Sequence, residues 1–228
     1  MISIVTGTLN RLELLKLVVN NTVEKSELVE LVLVDGGSTD GTIDYIKSLN
    51  HSRIKLIEVG ERSFYPHYMN LGIKNATYDL IVQWNDDVLL CNEWDEIIKD
   101  LDDSMMYIFS WKCGNLSDFE SSKNEYTFGH TFDNGINGMS LNYGIYNKKV
   151  FREIGMYNDK YKYYWCDADM ASRTSLFNYK KKFLQNIKVL SINSSKRAEH
   201  FSDDEFIFRD MMGLYVNKKL PENIEFLK

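Results

Sequence analysis

The sequence predicts an α/β protein built on a doubly wound, mostly parallel sheet with helices on both faces. Three observations predict it. Short apolar runs rich in branched side chains recur through the first hundred residues. Patterns of helical period fill the intervals between them. Clusters of polar residues directly follow three of the apolar runs, where such sheets bind their ligands.

The elements follow in order. Residues 2–5, "ISIV", read as the first strand, and Asn10 with Glu13 suits a capping box ahead of Leu12, Leu15 and Val19. Residues 31–34, "LVLV", give the second strand, and Ile43, Ile46 and Leu49 the face of the second helix. A third strand over 54–59 precedes a helix carrying Met69, Ile73 and Ala76. The fourth strand, 80–84, leads to a helix capped by Asn92 and Asp95, with Trp94, Ile97, Ile98 and Leu101 along it. Crossovers of this length join parallel strands.

The second half changes character. Residues 112–142 are polar, glycine-bearing and aperiodic and read as a long loop, a feature that in compact domains is usually functional. Residues 144–155 read as a strand leading into a short helix. Residues 167–179 read as a helix with Met170, Thr174 and Phe177 inward. A late strand covers 183–192, and the lysines at 180–182 read as a solvated turn.

Composition narrows the function classes. The 228 residues suit one domain, and 44% hydrophobic and 13% aromatic content supports a sizeable core. A formal net charge of −6 argues against a sequence-blind nucleic-acid binder, which needs a basic surface, but not against a nucleotide held by backbone amides and a cation. Cys91, Cys113 and Cys166 are too irregularly spaced for a zinc ribbon or a disulfide framework and read as reduced thiols of a cytoplasmic protein. Neither a signal peptide nor a transmembrane run is expected.

Three loops carry candidate chemistry. In "VDGGSTDGT", Asp35 at the strand end suits the imide edge of a base, and Gly36 and Gly37 permit close approach. The plainer alternative is a βα turn in which Ser38 or Asp40 caps the next helix. In "WNDDV", 84–88, adjacent carboxylates repel unless a cation relieves them, and hard oxygen ligands suit Mg²⁺ or Mn²⁺ bridged to a diphosphate. In "WCDADMASR", 165–173, Asp167 and Asp169 open a helix; one suits a cap and the other a general base, and spacing does not separate them.

The ordered set "SIVTGTLNR", "VDGGSTDGT", "MNLGIKNA", "WNDDV", "NYGIYNKKVFREIG" and "WCDADMASR" resembles a family 2 glycosyltransferase of the GT-A fold, over residues 2 to about 175. That resemblance implies a single domain over 1–228, with 1–110 binding a nucleotide-sugar donor and 111–228, including a C-terminal appendage, binding a glycan or other hydroxyl acceptor. It implies that Thr8, Arg11, Asp35, Gly37, Asn70, Asn85 and Asp86 hold the donor. Asp87 would be the metal ligand, Asp167 the catalytic base of an inverting reaction, and Arg173 the arginine that follows it. His200 is a candidate third metal ligand, and His67 and His130 are candidates for the acceptor side. The chain departs from the family pattern at Gly7 (usually proline), Leu9 (tyrosine), Asn85 (aspartate) and Cys166 (glutamate). The rival readings are a sugar nucleotidyltransferase and a nucleotide- or glycan-binding domain without catalysis.

Overall fold

The computed structural model describes residues 1–124, 143–192 and 201–228. The first half runs β1 (Ile2–Thr8), α1 (Leu12–Asn21), β2 (Val29–Asp35), α2 (Thr42–Leu49), β3 (Ile54–Glu58), α3 (Tyr65–Asn75) and β4 (Leu80–Gln83). Then come β5 (Val88–Leu90), α4 (Trp94–Ile98), β6 (Met106–Gly114), a 3₁₀ turn over Leu116–Asp118 and the short α5 (Phe119–Ser122). The chain ends with β7 (Gly144–Asn147), α6 (Lys148–Glu153), α7 (Cys166–Leu176), β8 (Lys181–Ile192) and α8 (Phe201–Val216).

These strands form one sheet in the order β3-β2-β1-β4-β7-β6-β8-β5. β1 pairs in parallel with β2 and β4, and β2 with β3. Beyond β4 the sheet becomes mixed, because β7 runs antiparallel to both β4 and β6, and β5 antiparallel to β8. In the parallel half β1, β2 and β4 bury apolar residues on both faces, as cover by two helical layers requires, while β3 lies at the edge and is only partly buried. Ile2, Ile4, Leu31 and Leu33 pack into a core under α1, α2 and α4, while Val5 and Val32 point the other way, toward α3, α6, α7 and α8. Trp84 and Trp94, both fully buried, meet edge to face at 5.3 Å in the first of these cores.

Several expectations are corrected. α1 is not capped by its own Asn10, which sits at φ 52°; the Leu12 amide instead donates to Asp40 Oδ2 from the neighbouring loop, 3.0 Å away. Asp40 Oδ1 accepts from Thr42 N and Oγ1 at the start of α2, so one carboxylate serves both helix starts. Burial alone would raise the Asp40 pKa, but the Thr42 and Leu12 hydrogen bonds outweigh it and hold the carboxyl below its usual range. α4 begins without a side-chain cap: Asn92 instead bridges to β8 through Lys188 N and Asn186 O, and Asp95 binds Ser26. β5 and β6 are additional strands. Phe177 is exposed at the end of α7 rather than inward.

The lysine turn is also corrected. Lys181 and Lys182 lie within β8, and the Lys181 ammonium tucks under α7, donating to Ala171 O at 3.1 Å and Ser175 Oγ at 2.5 Å. Desolvation there lowers its pKa to about 8.

Candidate active site

The carboxyl ends of β1 and β4, the loop after β3 and the start of α7 enclose one cleft of about 450 Å³. Gly7, Thr8, Asn10 and Arg11 form one side, Asn85, Asp86 and Asp87 another, and Asp167 faces in from α7. The structure therefore brings six of the anticipated residues together: Thr8, Arg11, Asn85, Asp86, Asp87 and Asp167. Parallel pairing explains the convergence, since side-by-side strands pointing the same way deliver their following loops to one edge.

The other anticipated residues lie elsewhere. Asp35 is the register partner of Thr8, so β1 and β2 end level. Its carboxylate is fully buried and engaged by its own loop, through Gly37 N and Ser38 N at 2.8 Å each and the Ser38 hydroxyl at 2.5 Å. The space beside the two glycines is filled by protein: a Cβ on Gly36 would lie 2.2 Å from the Tyr68 hydroxyl, and one on Gly37 would lie 2.7 Å from Gly60 O. Gly37, at φ +92°, also needs the left-handed backbone that glycine adopts freely. Asn70 is buried and ties α3 to a turn ahead of α7. Its Nδ2 donates to Tyr157 O at 2.8 Å and Asp159 Oδ1 at 3.0 Å, and its Oδ1 accepts from Tyr157 N at 2.9 Å. His67 is exposed on α3 outside the cleft lining. His130 and His200 lie outside the described residues.

Geometry separates the two carboxylates that spacing left open. Asp167 is half-buried and lines the cleft. Asp169, fully buried, faces the opposite way and pairs with Arg173 at 2.8 Å. Tyr161 and Tyr215 donate to Asp169 Oδ1, while Arg173 donates to Ile154 O, Gly155 O and Met156 O. Both charges are thus fully hydrogen-bonded, as burial demands. The pair anchors α7 to α8 and to the turn behind it, so Arg173 belongs to the scaffold of the site.

The approach to α7 is held just as firmly. Trp165 precedes the helix at φ 63°, a left-handed conformation rare for a bulky residue, and stacks on Phe208 of α8 at 5.1 Å. Asp204 of α8, fully buried, accepts backbone hydrogen bonds from Lys162 at 2.9 Å and from Tyr163 and Tyr164 at 2.8 Å each. Lys162 O in turn accepts from Tyr65 N at 3.0 Å, joining this wall to the start of α3. Cys166 is buried, and desolvation pushes its thiol well above the usual range, so it stays neutral beside Asp167.

Sequence reasoning missed Arg62, Ser63, Tyr65, Tyr68, Gln83, Tyr163 and Tyr164, all of which line the cleft. The signal for the first four was available, because they follow the carboxyl end of β3 and the strand-end rule applies there as well. Gln83 was hidden as the one polar residue inside an apolar strand. Its Oε1 accepts from the hydroxyls of Tyr146, at 3.2 Å, and Tyr157.

Three carboxylates against two guanidiniums leave the lining formally negative, which favours a cation over an anion entering alone. Among the described residues no three His, Cys, Asp or Glu side chains converge as a complete metal site. Asp86 and Asp87, both in the cleft lining, offer the hard carboxylate oxygens that Mg²⁺ and Mn²⁺ accept, one or two at a time, beside phosphate oxygens and water.

A family model described as glycosyl transferase family 2 matches residues 3–173. No curated protein sequence matches the chain. Among solved structures, it is similar to the mannosyltransferase PcManGT from Pyrobaculum calidifontis, in complex with GDP-Man and Mn²⁺. That likeness has 20% identity and a TM-score of 0.61, covering 96% of this chain and 65% of that one. It is also similar to residues 1–349 of TarS from S. aureus in complex with UDP-GlcNAc. Here identity is 18% and the TM-score 0.68, covering 95% of this chain and 66% of that one. At such identities the likeness is one of fold, the GT-A fold, and this chain spans less than two thirds of the length of either. Among the described residues no helix is long and apolar enough to cross a membrane.

Proposed function

The chain belongs to glycosyl transferase family 2, and from that premise we propose that it transfers a sugar from a nucleoside-diphosphate sugar to a hydroxyl of a glycan or other acceptor. The observation that carries this reading is the convergence of Thr8, Arg11, Asn85, Asp86, Asp87 and Asp167 on one cleft. Thr8, Arg11, Asn85 and Asp86 are proposed to hold the nucleotide, with uracil or a similar base. Asp35, Gly37 and Asn70 are proposed to act on the donor indirectly, by shaping the loops around it. Asp87 would hold Mn²⁺ or Mg²⁺, with His200 a proposed further ligand. Such an ion, when bound, supplies Lewis-acid neutralisation of the charge on the leaving diphosphate.

In this mechanism Asp167 accepts the proton of the acceptor hydroxyl while that oxygen attacks the anomeric carbon. The bond from that carbon to the diphosphate oxygen breaks, and configuration inverts. The residues after β6, with α8 and the stretch beyond it, are proposed to shape the acceptor side. The free thiols of Cys91, Cys113 and Cys166 suit the cytoplasmic setting we propose.

Cys166, standing where the family pattern has glutamate, favours a second reading: a domain that binds nucleotide sugars without turning them over. A panel of UDP- and GDP-sugars with Mn²⁺ or Mg²⁺ separates the readings. Slow donor hydrolysis or transfer supports the transferase, binding without turnover supports the inactive domain, and pyrophosphate release marks a nucleotidyltransferase. Asp167→Asn is expected to keep nucleotide affinity and lose turnover by about 10²–10⁴-fold, the range for a general base. Turnover at the wild-type rate by that variant overturns the mechanism.

A further inference from the structure

Native proteins rarely leave a buried polar atom without a partner, and each exception calls for a reason. Two exceptions belong to residues that line the cleft: the hydroxyls of Thr8 and Tyr65. Thr8 is already among the proposed nucleotide contacts. Tyr65 has no such role. Its ring meets Tyr157 edge to face at 6.1 Å, its amide is held by Lys162 O, and its hydroxyl is buried with no hydrogen bond among the described residues.

Its surroundings indicate what the missing partner is. The ionisable groups that act on Tyr65 include Cys166 and Asp167, which places it toward the reacting end of the cleft. Burial drives its phenol well above the usual range, so it stays a neutral donor and acceptor at any working pH. Gln83 is its counterpart in the lining. With Oε1 taken by the hydroxyls of Tyr146 and Tyr157, the group it has left to offer is the amide Nε2. A neutral phenol and a neutral amide bring no charge to offset a diphosphate, and their mix of donors and an acceptor matches a sugar hydroxyl, which both donates and accepts.

We propose that Tyr65, with Gln83, reads a hydroxyl of the donor's sugar, and that the Tyr65 hydroxyl is left unpartnered in the free protein because the sugar supplies its partner. This rests on the nucleotide-sugar reading above. It makes Tyr65 a specificity-determining residue whose cost to stability is offset only when donor is bound.

Tyr65→Phe tests it through two independent readouts. The first is thermal unfolding of the free protein. Removing an unsatisfied buried hydroxyl without changing the ring should raise Tm, by about 2–4 °C for a chain of this size. The second is titration of wild type and variant with UDP, UDP-GlcNAc, GDP and GDP-mannose in the presence of Mn²⁺. For whichever nucleotide sugar wild type binds, the variant should lose about tenfold in affinity, while the matching sugar-free nucleotide stays within about twofold. Equal loss for both, no loss for either, a fall in Tm, or an effect confined to the acceptor's KM would overturn the assignment. Wild type binding none of the four would overturn the donor reading itself, and this assignment with it.

Discussion

Asp204 gives the most direct test of how the fold holds its proposed base. The carboxylate is fully buried on α8 and accepts three consecutive amides, Lys162, Tyr163 and Tyr164, at 2.8–2.9 Å. Asp204→Ala removes both carboxylate oxygens and with them all three hydrogen bonds. Each stranded amide costs about 1–3 kcal/mol, at the low end here because the three residues are only half-buried and water can reach part of the gap. The sum is about 3–5 kcal/mol. Unfolding entropy of about 2.1 cal/mol/K per residue makes each kcal/mol worth about 2 °C in a 228-residue chain, so Tm should fall by about 6–10 °C. Asp204→Asn keeps one acceptor oxygen and turns an NH₂ toward at least one amide, and should lose about half as much. Because this segment runs through the left-handed Trp165 to Asp167, turnover of both variants, assayed where they remain fully folded, should fall with little change in nucleotide affinity. Circular-dichroism melts and donor titrations measure the two effects. An Ala variant melting within about 2 °C of wild type, or turning over at the wild-type rate, would refute the reasoning.

Two further outcomes are expected. Lys181 has a folded-state pKa of about 8 against an ordinary 10.5. Below pH 8 both folded and unfolded chains carry its charge; between about 8 and 10.5 the unfolded chain keeps a proton that the folded one has shed, so stability rises with pH across that window. After discounting for partial exposure, the gain is about 2 kcal/mol, and urea melts of wild type should show it while Lys181→Met does not. Gly72→Ala would put a Cβ 2.3 Å from Val5 Cγ1 and 3.3 Å from Val34 Cγ2. Overpacking where α3 crosses β1 should cost about 1–3 kcal/mol, and adding Val5→Ala should recover part of it; an unchanged Tm in the single variant would show that the crossing yields freely.

Some of this protein was legible in the residue order alone. The parallel half was, because doubly apolar strands alternating with helical faces admit few arrangements, and the ends of β1 and β4 were rightly expected to carry polar residues to a common edge. The approximate places of α6, α7 and β8 could also be read from local pattern. What local pattern lacks is the destination of a side chain. Asp35, Asp167 and Asp169 are all carboxylates next to an element end, yet one serves its own loop, one faces the cleft and one is sealed against Arg173. Their roles depend on which distant segment packs against each. For Asp169 that segment brings Tyr215 from α8, and for the glycines beside Asp35 it brings Tyr68 and Gly60. Likewise Asp40 caps a helix that precedes it by a whole strand, a bond no local capping rule contains. Hydrophobic periodicity and strand-end chemistry are properties of neighbours in sequence, so the residue order carries the scaffold and its polar edge. Hydrogen-bond partnership and burial are properties of neighbours in space, so it takes the folded chain to sort the polar residues that hold the fold from those left facing the cleft.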